Sequence, residues 1–583
     1  MAGRVLRVVV PGLLVGLVAA AAWLAFTGAR AVAAVRDLQV AVDDFRGALG
    51  DRDLEAATPA AEAAADAAAR ADAALGGPVW GALAAIPYLG DTADAARVTA
   101  AAVATAAEGL GPLLDAADVF DPASLYADGR VDVEAIEAAQ PSLGEAARAV
   151  SGAAAQIEAA PTAGSGAWVV AAVDERRGEA QELLGEAADA LGTAQAAVSV
   201  LPGLLGADGE RTWFVALQTP SEARGTGGLV GNYVILGAND GRLELRRVGS
   251  NSDFETLSAL PDLGVGFVDR YGQDPRLFAN SNLSPHFPSA AQLWRQFVAE
   301  TFGEDVDVVV GTDVVALGAL VGAAGPLTLP DGRVLDAQAA VDFGLTGVYA
   351  DYPDDAEREA FQEAVATELF TALTAGTIPA DALVDAVTAI VRDSRLRLWS
   401  AVETEQRQLL ALPTAGSLAA PPGPTAVAVV INASGSKLDA YLDRSLRYEV
   451  GRCPVDGRVR STVVVTLTSA IPPDAVLSDY VVAGAARGPD GPISRTQLQV
   501  HLPVEAAVVG ITVDGVQRPF TAFREQGRPG ALLELDLPPR QPVVVRLDVE
   551  EPASQAPATV PVQPLARDAT VETTDVGCAP TPT

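Results

Sequence analysis

Chemistry-bearing residues concentrate in one run, Glu222-Ala223-Arg224-Gly225-Thr226-Gly227-Gly228-Leu229-Val230-Gly231-Asn232. A glycine-rich loop after a strand can bring backbone N–H groups close to an oxyanion, and Arg224 adds a planar fork that suits phosphate. The run is not a dinucleotide fingerprint. Its spacing differs, and strand-like residues follow where a helix should begin. The Lys-Ser/Thr of a phosphate loop is missing as well. The same glycines serve equally well as a tight turn, with Glu222 neutralising Arg224 locally, and the residue types leave both readings open. Under the ligand reading, Arg224→Ala should leave folding nearly intact and abolish phosphate binding. Arg224→Lys should rescue poorly, because a point charge does not reproduce bidentate contacts.

Other candidates fall away on inspection. Ser434-Gly435-Ser436-Lys437 has the Ser-x-x-Lys form of a penicillin-binding nucleophile, but the companion Lys-Thr-Gly is ruled out because Lys437 is the only lysine in the chain. No catalytic residue is assigned. His286 and His501 are far apart and neither sits in a ligand-spaced cluster, so no metal site is expected. Arginine as almost the only basic residue, with much Ala, Val and Gly, suggests a GC-rich bacterial genome, in which Asn282-Leu283-Ser284 and Asn432-Ala433-Ser434 are formal glycosylation sequons of little meaning. The two cysteines, Cys453 and Cys578, suit one disulfide in an exported chain, with two free thiols as the alternative.

These residues must be positioned by a multidomain chain. From Val8 to Ala29 there are 22 uncharged residues, preceded by Arg4 and Arg7. That length spans a bilayer as a helix and predicts a cytoplasmic N-terminus with the bulk outside. A cleaved signal peptide is the rival reading, with Ala31-Val32-Ala33 as a cleavage site. Residues 31–200 are alanine-rich. Val35, Leu38, Val42, Phe45 and Leu49 line one helical face, and Leu184, Leu191 and Val198 recur at seven, predicting a helical stalk. Gly76-Gly77-Pro78, Pro87, Asp121-Pro122 and Pro141 are read as its breaks.

Texture changes at Leu201-Pro202-Gly203, where strand patterns begin at 212–218, 229–236 and 242–249. Asn239-Asp240-Gly241 is a hairpin turn between the last two. Strands then mix with helical patterns at 289–301 and 355–373, predicting an α/β layered domain over 205–415. Past the Pro-rich linker 419–426 nearly every segment alternates, predicting a β-sandwich over 425–550 and an unstructured tail over 551–583. The domain plan is thus an anchor in 1–30, the stalk, an α/β core, a sandwich and a tail. A net charge of −35, from 40 basic and 75 acidic residues, repels nucleic acid and anionic lipid surfaces. General solubility accounts for most of that excess.

The runs ALQTPSEARGTGGLVGNYVILGANDGRLEL, NLSPHFPSAAQLWRQF, DVVVGTDVVALGALVGAAGPLTLPDGRVL and DDAEREAFQEAV carry a resemblance. They resemble a bacterial membrane-anchored family known only as a domain of unknown function. The core is more distantly similar to LytR–CpsA–Psr proteins, which transfer glycopolymers from polyprenyl pyrophosphate carriers onto the cell wall. That resemblance implies an envelope protein with a LytR–CpsA–Psr-like α/β domain and a polyprenyl-linked phosphate or wall glycan as ligand. Arg224 matches the family's strand-opening arginine, although Gly-Thr-Gly-Gly replaces its acidic stretch. Arg246-Arg247 followed by Asp253 loosely matches its Pro-Arg-Asp turn, and Asp355-Ala356-Glu357-Arg358 its Asp-x-x-Arg. The implied phosphate set is Arg224, Gly225, Gly227, Gly228, Arg246, Arg247 and Arg358, with the metal-binding acids lacking clear counterparts. Missing metal ligands count against catalysis. The alternative is a non-enzymatic scaffold. Convergence of the arginines on one open cavity favours the ligand, and scattered arginines paired with acids favour the scaffold.

Overall fold

The structure, a computed structural model, describes residues 2–51, 53–86, 90–116, 125–160, 168–264, 266–329, 331–418 and 423–578, without the side chains of 2–22, 168–170 and 172. The expected breaks at Pro87 and Asp121-Pro122, and the first part of the linker, lie outside the described residues. Two compact units result: Met1–Leu125 with Asp132–Pro202, and Tyr126–Val131 with Gly203–Thr583.

The first unit is helical: Ala2–Gly50, Leu54–Leu75, Pro78–Ala84, Gly90–Glu108, Leu110–Asp115, Val133–Glu158 and Trp168–Leu204. Asp53 caps the second helix by accepting from Ala56 N–H at 3.0 Å, and Pro78 opens the third, where its missing N–H costs nothing. Pro141, expected as a break, sits inside the helix Val133–Glu158. The buried seam of the first helix is Ala31, Ala34, Ala41, Phe45 and Ala48, beside the expected valine and leucine stripe. Alanine lets helix backbones approach closely, so the small residues take the centre of the contact and the larger ones its flank.

The N-terminal membrane-spanning helix is overturned. Among the described residues no helix is long and apolar enough to cross a membrane. From Trp23 onward the helix Ala2–Gly50 packs on Leu54–Leu75 through Phe45, Ala48, Ala57 and Ala61, and Asp37 pairs with Arg70 at 3.0 Å. Much of the uncharged run falls on residues 8–22, whose side chains lie outside those described.

The second unit begins with a mixed sheet. Its strands are β1 (Tyr126–Ala127), β2 (Arg130–Val131), β3 (Arg211–Arg224), β4 (Gly227–Asn239), β5 (Arg242–Ser250), β6 (Val308–Asp313) and β9 (Arg397–Ser400), in the order β1-β2-β5-β4-β3-β6-β9. Short strands β7 (Leu327–Thr328) and β8 (Val334–Leu335) pair apart from it. Within this sheet, among the described residues, only β3 and β6 run parallel. Asp240 and Gly241 both have positive φ, 50° and 75°, the type I′ geometry that asparagine, aspartate and glycine allow. On one face Phe214, Tyr233, Phe254, Phe287, Trp294 and Phe297 form an aromatic core beneath the helix Phe287–Phe302. The helices Val314–Ala324, Ala337–Asp342 and Asp355–Thr374 supply two further apolar clusters, around Val321 and Leu369 and around Val348 and Phe361.

A β-sandwich follows. One sheet joins β10 (Val427–Asn432), β14 (Gly491–His501), β18 (Arg528–Leu537) and β17 (Thr521–Glu525), with β13 (Ala486–Gly488) beside β14. The other runs β16 (Val516–Gln517), β15 (Ala507–Val513), β19 (Pro542–Pro552), β12 (Arg458–Ser469), β11 (Leu442–Gly451) and β20 (Ala569–Val576). Val430, Leu446, Val465, Leu498, Leu533 and Leu547 fill the space between them. Over its described part, 551–578, the segment expected as an unstructured tail is ordered. Gln563 and Leu565 are buried, β20 pairs in parallel with β11, and Cys578 is bonded to Cys453. Its composition hides this, because a strand at a sheet edge needs few apolar residues once its backbone and one covalent bond hold it. Residues 579–583 lie outside the described set.

Candidate functional site

The glycine-rich run is the far end of the β3–β4 hairpin, closed by Arg224 opposite Gly227 with Gly225 and Thr226 at the tip. Between Thr219 and Ala223 the register slips, and the bulge carries Pro220, Ser221 and Glu222 out of the ladder. Every residue from Gln218 to Gly228 is buried. The tip is enclosed rather than open to solvent. A Cβ on Gly225 would stand 2.3 Å from Leu283 O, and one on Gly228 2.3 Å from the Thr219 carbonyl carbon. Gly227 has φ +143°, a backbone that side chains rarely adopt. The glycines are thus explained by close backbone packing. Gly228→Ala should cost about 1–3 kcal/mol through overpacking, read as a lower urea midpoint at unchanged m-value.

Most polar groups inside this joint are satisfied by one another, although the buried Ser221 Oγ and Asn282 Oδ1 have no hydrogen-bond partner. Asn282 Nδ2 donates to Gln218 Oε1 (3.1 Å), Thr226 Oγ1 (2.9 Å) and Gly228 O (2.8 Å). Arg224 is only 7% exposed. Its Nη2 donates to Glu222 Oε1 at 2.7 Å, its Nη1 to Ala223 O at 3.0 Å, and its Nε to Ala279 O at 3.1 Å. Glu222 Oε2 accepts from Lys437 Nζ. Burial alone would raise the Glu222 carboxyl, but Lys437 and then Arg224 hold it below the usual carboxylate range. Asp439 accepts from Ala223 N–H (2.9 Å) and Asn432 Nδ2 (2.7 Å), and burial pushes its carboxyl up to about 6. Gln563 closes the assembly, donating to Arg224 O at 2.6 Å and to Val430 O at 2.9 Å.

The network reaches one more expected residue. Tyr349 and Tyr480 stack with centroids 4.8 Å apart. Lys437 Nζ lies 5.4 Å from the Tyr349 centroid, and Arg358 Cζ lies 5.4 Å from Tyr349 and 4.9 Å from Tyr480. Arg224 and Arg358 are therefore the two ends of one buried chain through Glu222, Lys437 and the tyrosine pair, and Arg358 is also bonded to Asp355. Arg246 and Arg247 are elsewhere. Arg246 pairs with Glu210 and donates to Thr212 Oγ1, while Arg247 meets Glu304 at 3.1 Å and lies over the Phe302 ring at 4.2 Å. Asp253 accepts from Tyr233 OH at 2.7 Å.

Clefts among the described residues of this unit include two that bear on the arginines. One, of about 70 Å³, is lined by Leu217, Thr219, Asn232, Asp313, Phe343 and Val365 among others, and none of the four arginines lines it. The other, about 510 Å³, lies on the sandwich beside Arg495, Arg518 and Asp536 and includes none of them either. Among the described residues no group of three His, Cys, Asp or Glu is placed to hold a metal. Reading by sequence missed Glu222's second partner, Asp439, Asn432, Gln563, Tyr349 and Tyr480. One signal was available: Lys437 is the single lysine of the chain.

His501 is fully buried in the sandwich sheet, edge-on to Phe523 at 5.0 Å, with Nε2 3.9 Å from Glu525 and neither ring nitrogen hydrogen-bonded. Burial, then the nearby charges of Arg270 and Arg528, hold its imidazole down to about 3. An unfolded imidazole binds its proton near 6.5. This group therefore weakens folding as pH falls from about 6.5 toward 3, while Glu525, raised by burial, acts in the opposite sense as pH falls through its raised value toward the ordinary carboxylate range. His501→Gln should flatten the fall in Tm between about pH 6.5 and 4.5, measured against the unsubstituted chain.

Residues 208–349 match a family described as a protein of unknown function (DUF4012). The match covers the hairpin and Tyr349, and ends before Arg358, Lys437 and the sandwich. No curated protein and no solved structure matches the chain.

Proposed function

We propose that the chain is a non-enzymatic, extracytoplasmic scaffold or interaction protein of the bacterial envelope, in which the arginine- and glycine-rich hairpin is an internal joint and not a ligand loop. The observation that carries this reading is the burial of Arg224 with its charge met by Glu222, together with the separate pairing of Arg246 and Arg247. A phosphate would have to displace an internal carboxylate from a site with no opening, against the desolvation already compensated there. Placement outside the cytoplasm is supported by the bond between Cys453 and Cys578, since such bridges persist in oxidising compartments. The rival reading is a carrier-binding protein, the expectation that follows from the sequence resemblance to glycopolymer transferases and that no comparison supports. A calorimetric titration of the purified chain with a short polyprenyl phosphate separates the two. The scaffold reading expects no saturable heat, and stoichiometric binding that disappears in Arg246→Ala, Arg247→Ala or Arg358→Ala would overturn it.

A further inference from the structure

From the Glu222–Lys437 contact we propose that the chain carries an internal amide bond, Lys437 Nζ to Glu222 Cδ, formed by the folded protein itself and tying the α/β layer to the sandwich. Three observations meet there. Lys437 is the only lysine among 40 basic residues, so wherever charge alone is needed this chain uses arginine. Arginine is also the better partner for a buried carboxylate, whereas only an amine can acylate. Both groups are enclosed, Lys437 at 4% and Glu222 at 6% exposure, and Nζ already touches Oε2. Finally, the second carboxylate oxygen is held by Arg224 Nη2 at 2.7 Å, where a tetrahedral intermediate would place its negative oxygen.

The step is a condensation. One ammonium proton passes to Oε2 along the existing contact, which leaves a neutral amine. Its lone pair attacks Cδ and the Nζ–Cδ bond forms, with charge developing on Oε1 against Arg224. A second nitrogen proton then reaches Oε2, the Cδ–Oε2 bond breaks, and one water leaves. Ammonium and carboxylate thereby become amide and water with no oxidant or co-reactant. Asp439 accepts from the Ala223 N–H adjoining Glu222, and it lies near enough for the charge of Arg224 to act on it once Glu222 is neutral. Fixed proximity supplies the drive, since reacting groups held in contact behave as though at very high concentration. The bond would join residues 215 positions apart, from the bulge of β3 to the loop after β10.

Intact mass spectrometry of the purified chain decides the matter. Beyond the hydrogens lost to the disulfide, the mass should fall one water below that of the composition. Reductive methylation after unfolding and reduction should leave Lys437 unlabelled, and digestion should yield one branched peptide containing Glu222 and Lys437. Lys437→Arg, which keeps the cation beside Glu222 but cannot acylate, should show the full mass of its composition. A folded wild-type chain at full mass, with Lys437 methylated once unfolded, overturns the proposal. So would a water loss that persists in Lys437→Arg.

Discussion

Arg224→Ala should destabilise the second unit by about 3–5 kcal/mol, the range for breaking a buried ionic network by removing one member. In the folded chain Arg224 lies by Glu222 and Asp439 in a region closed to water, so removing its charge strands the buried Asp439 carboxyl whether or not Glu222 is joined to Lys437. It also leaves Ala279 O without its guanidinium donor. Arg224→Lys should recover little, because one ammonium cannot reach Glu222, Ala223 O and Ala279 O together. Urea unfolding followed by tryptophan emission reads this directly. This result is the reverse of what an open phosphate loop predicts, where the alanine variant would fold normally and lose only a ligand.

Opening the disulfide should have a comparable effect. The bond closes 125 residues, for which chain entropy gives about 4–5 kcal/mol as an upper figure. The loss should be uneven. β20 is almost wholly exposed along its length and depends on its parallel ladder with β11 and on Cys578. Cys453→Ser/Cys578→Ser should therefore lower the unfolding midpoint and release the amides of 569–576 first in hydrogen exchange. Equal exchange of β20 in both forms would show that the ladder alone suffices.

Much of the architecture was legible because it rests on local signals. Asn239-Asp240-Gly241 announces a hairpin through backbone requirements that hold in any context. Strand alternation through 425–550 announces a sandwich for the same reason. Interior pairing was not legible, because it depends on residues more than 200 positions apart. Nothing around Glu222 states that Lys437 will meet it, and nothing in Pro-rich 551–583 announces that Gln563 will bond Arg224 O. The site reading erred on a related point. Glycines beside an arginine have the same sequence whether they cradle an anion or let two backbones touch, and only the 2.3 Å approaches to Leu283 O and Thr219 C distinguish the cases. The uncharged run after Arg7 misled in another way. A long uncharged run reads as a bilayer span, whereas among the described residues no helix is long and apolar enough to cross a membrane, and from Trp23 onward that helix packs on an alanine seam.

The central claim is that the hairpin from Glu222 to Gly228 is a closed joint of the second unit. Native-state hydrogen exchange followed by mass spectrometry tests it most directly. Amides of 222–228 should exchange only with global unfolding, at the same free energy as the paired strands β12 and β19, and should not change on adding polyprenyl phosphate. Exchange of this segment well ahead of the sandwich, or new protection there when the lipid phosphate is added, would contradict the account.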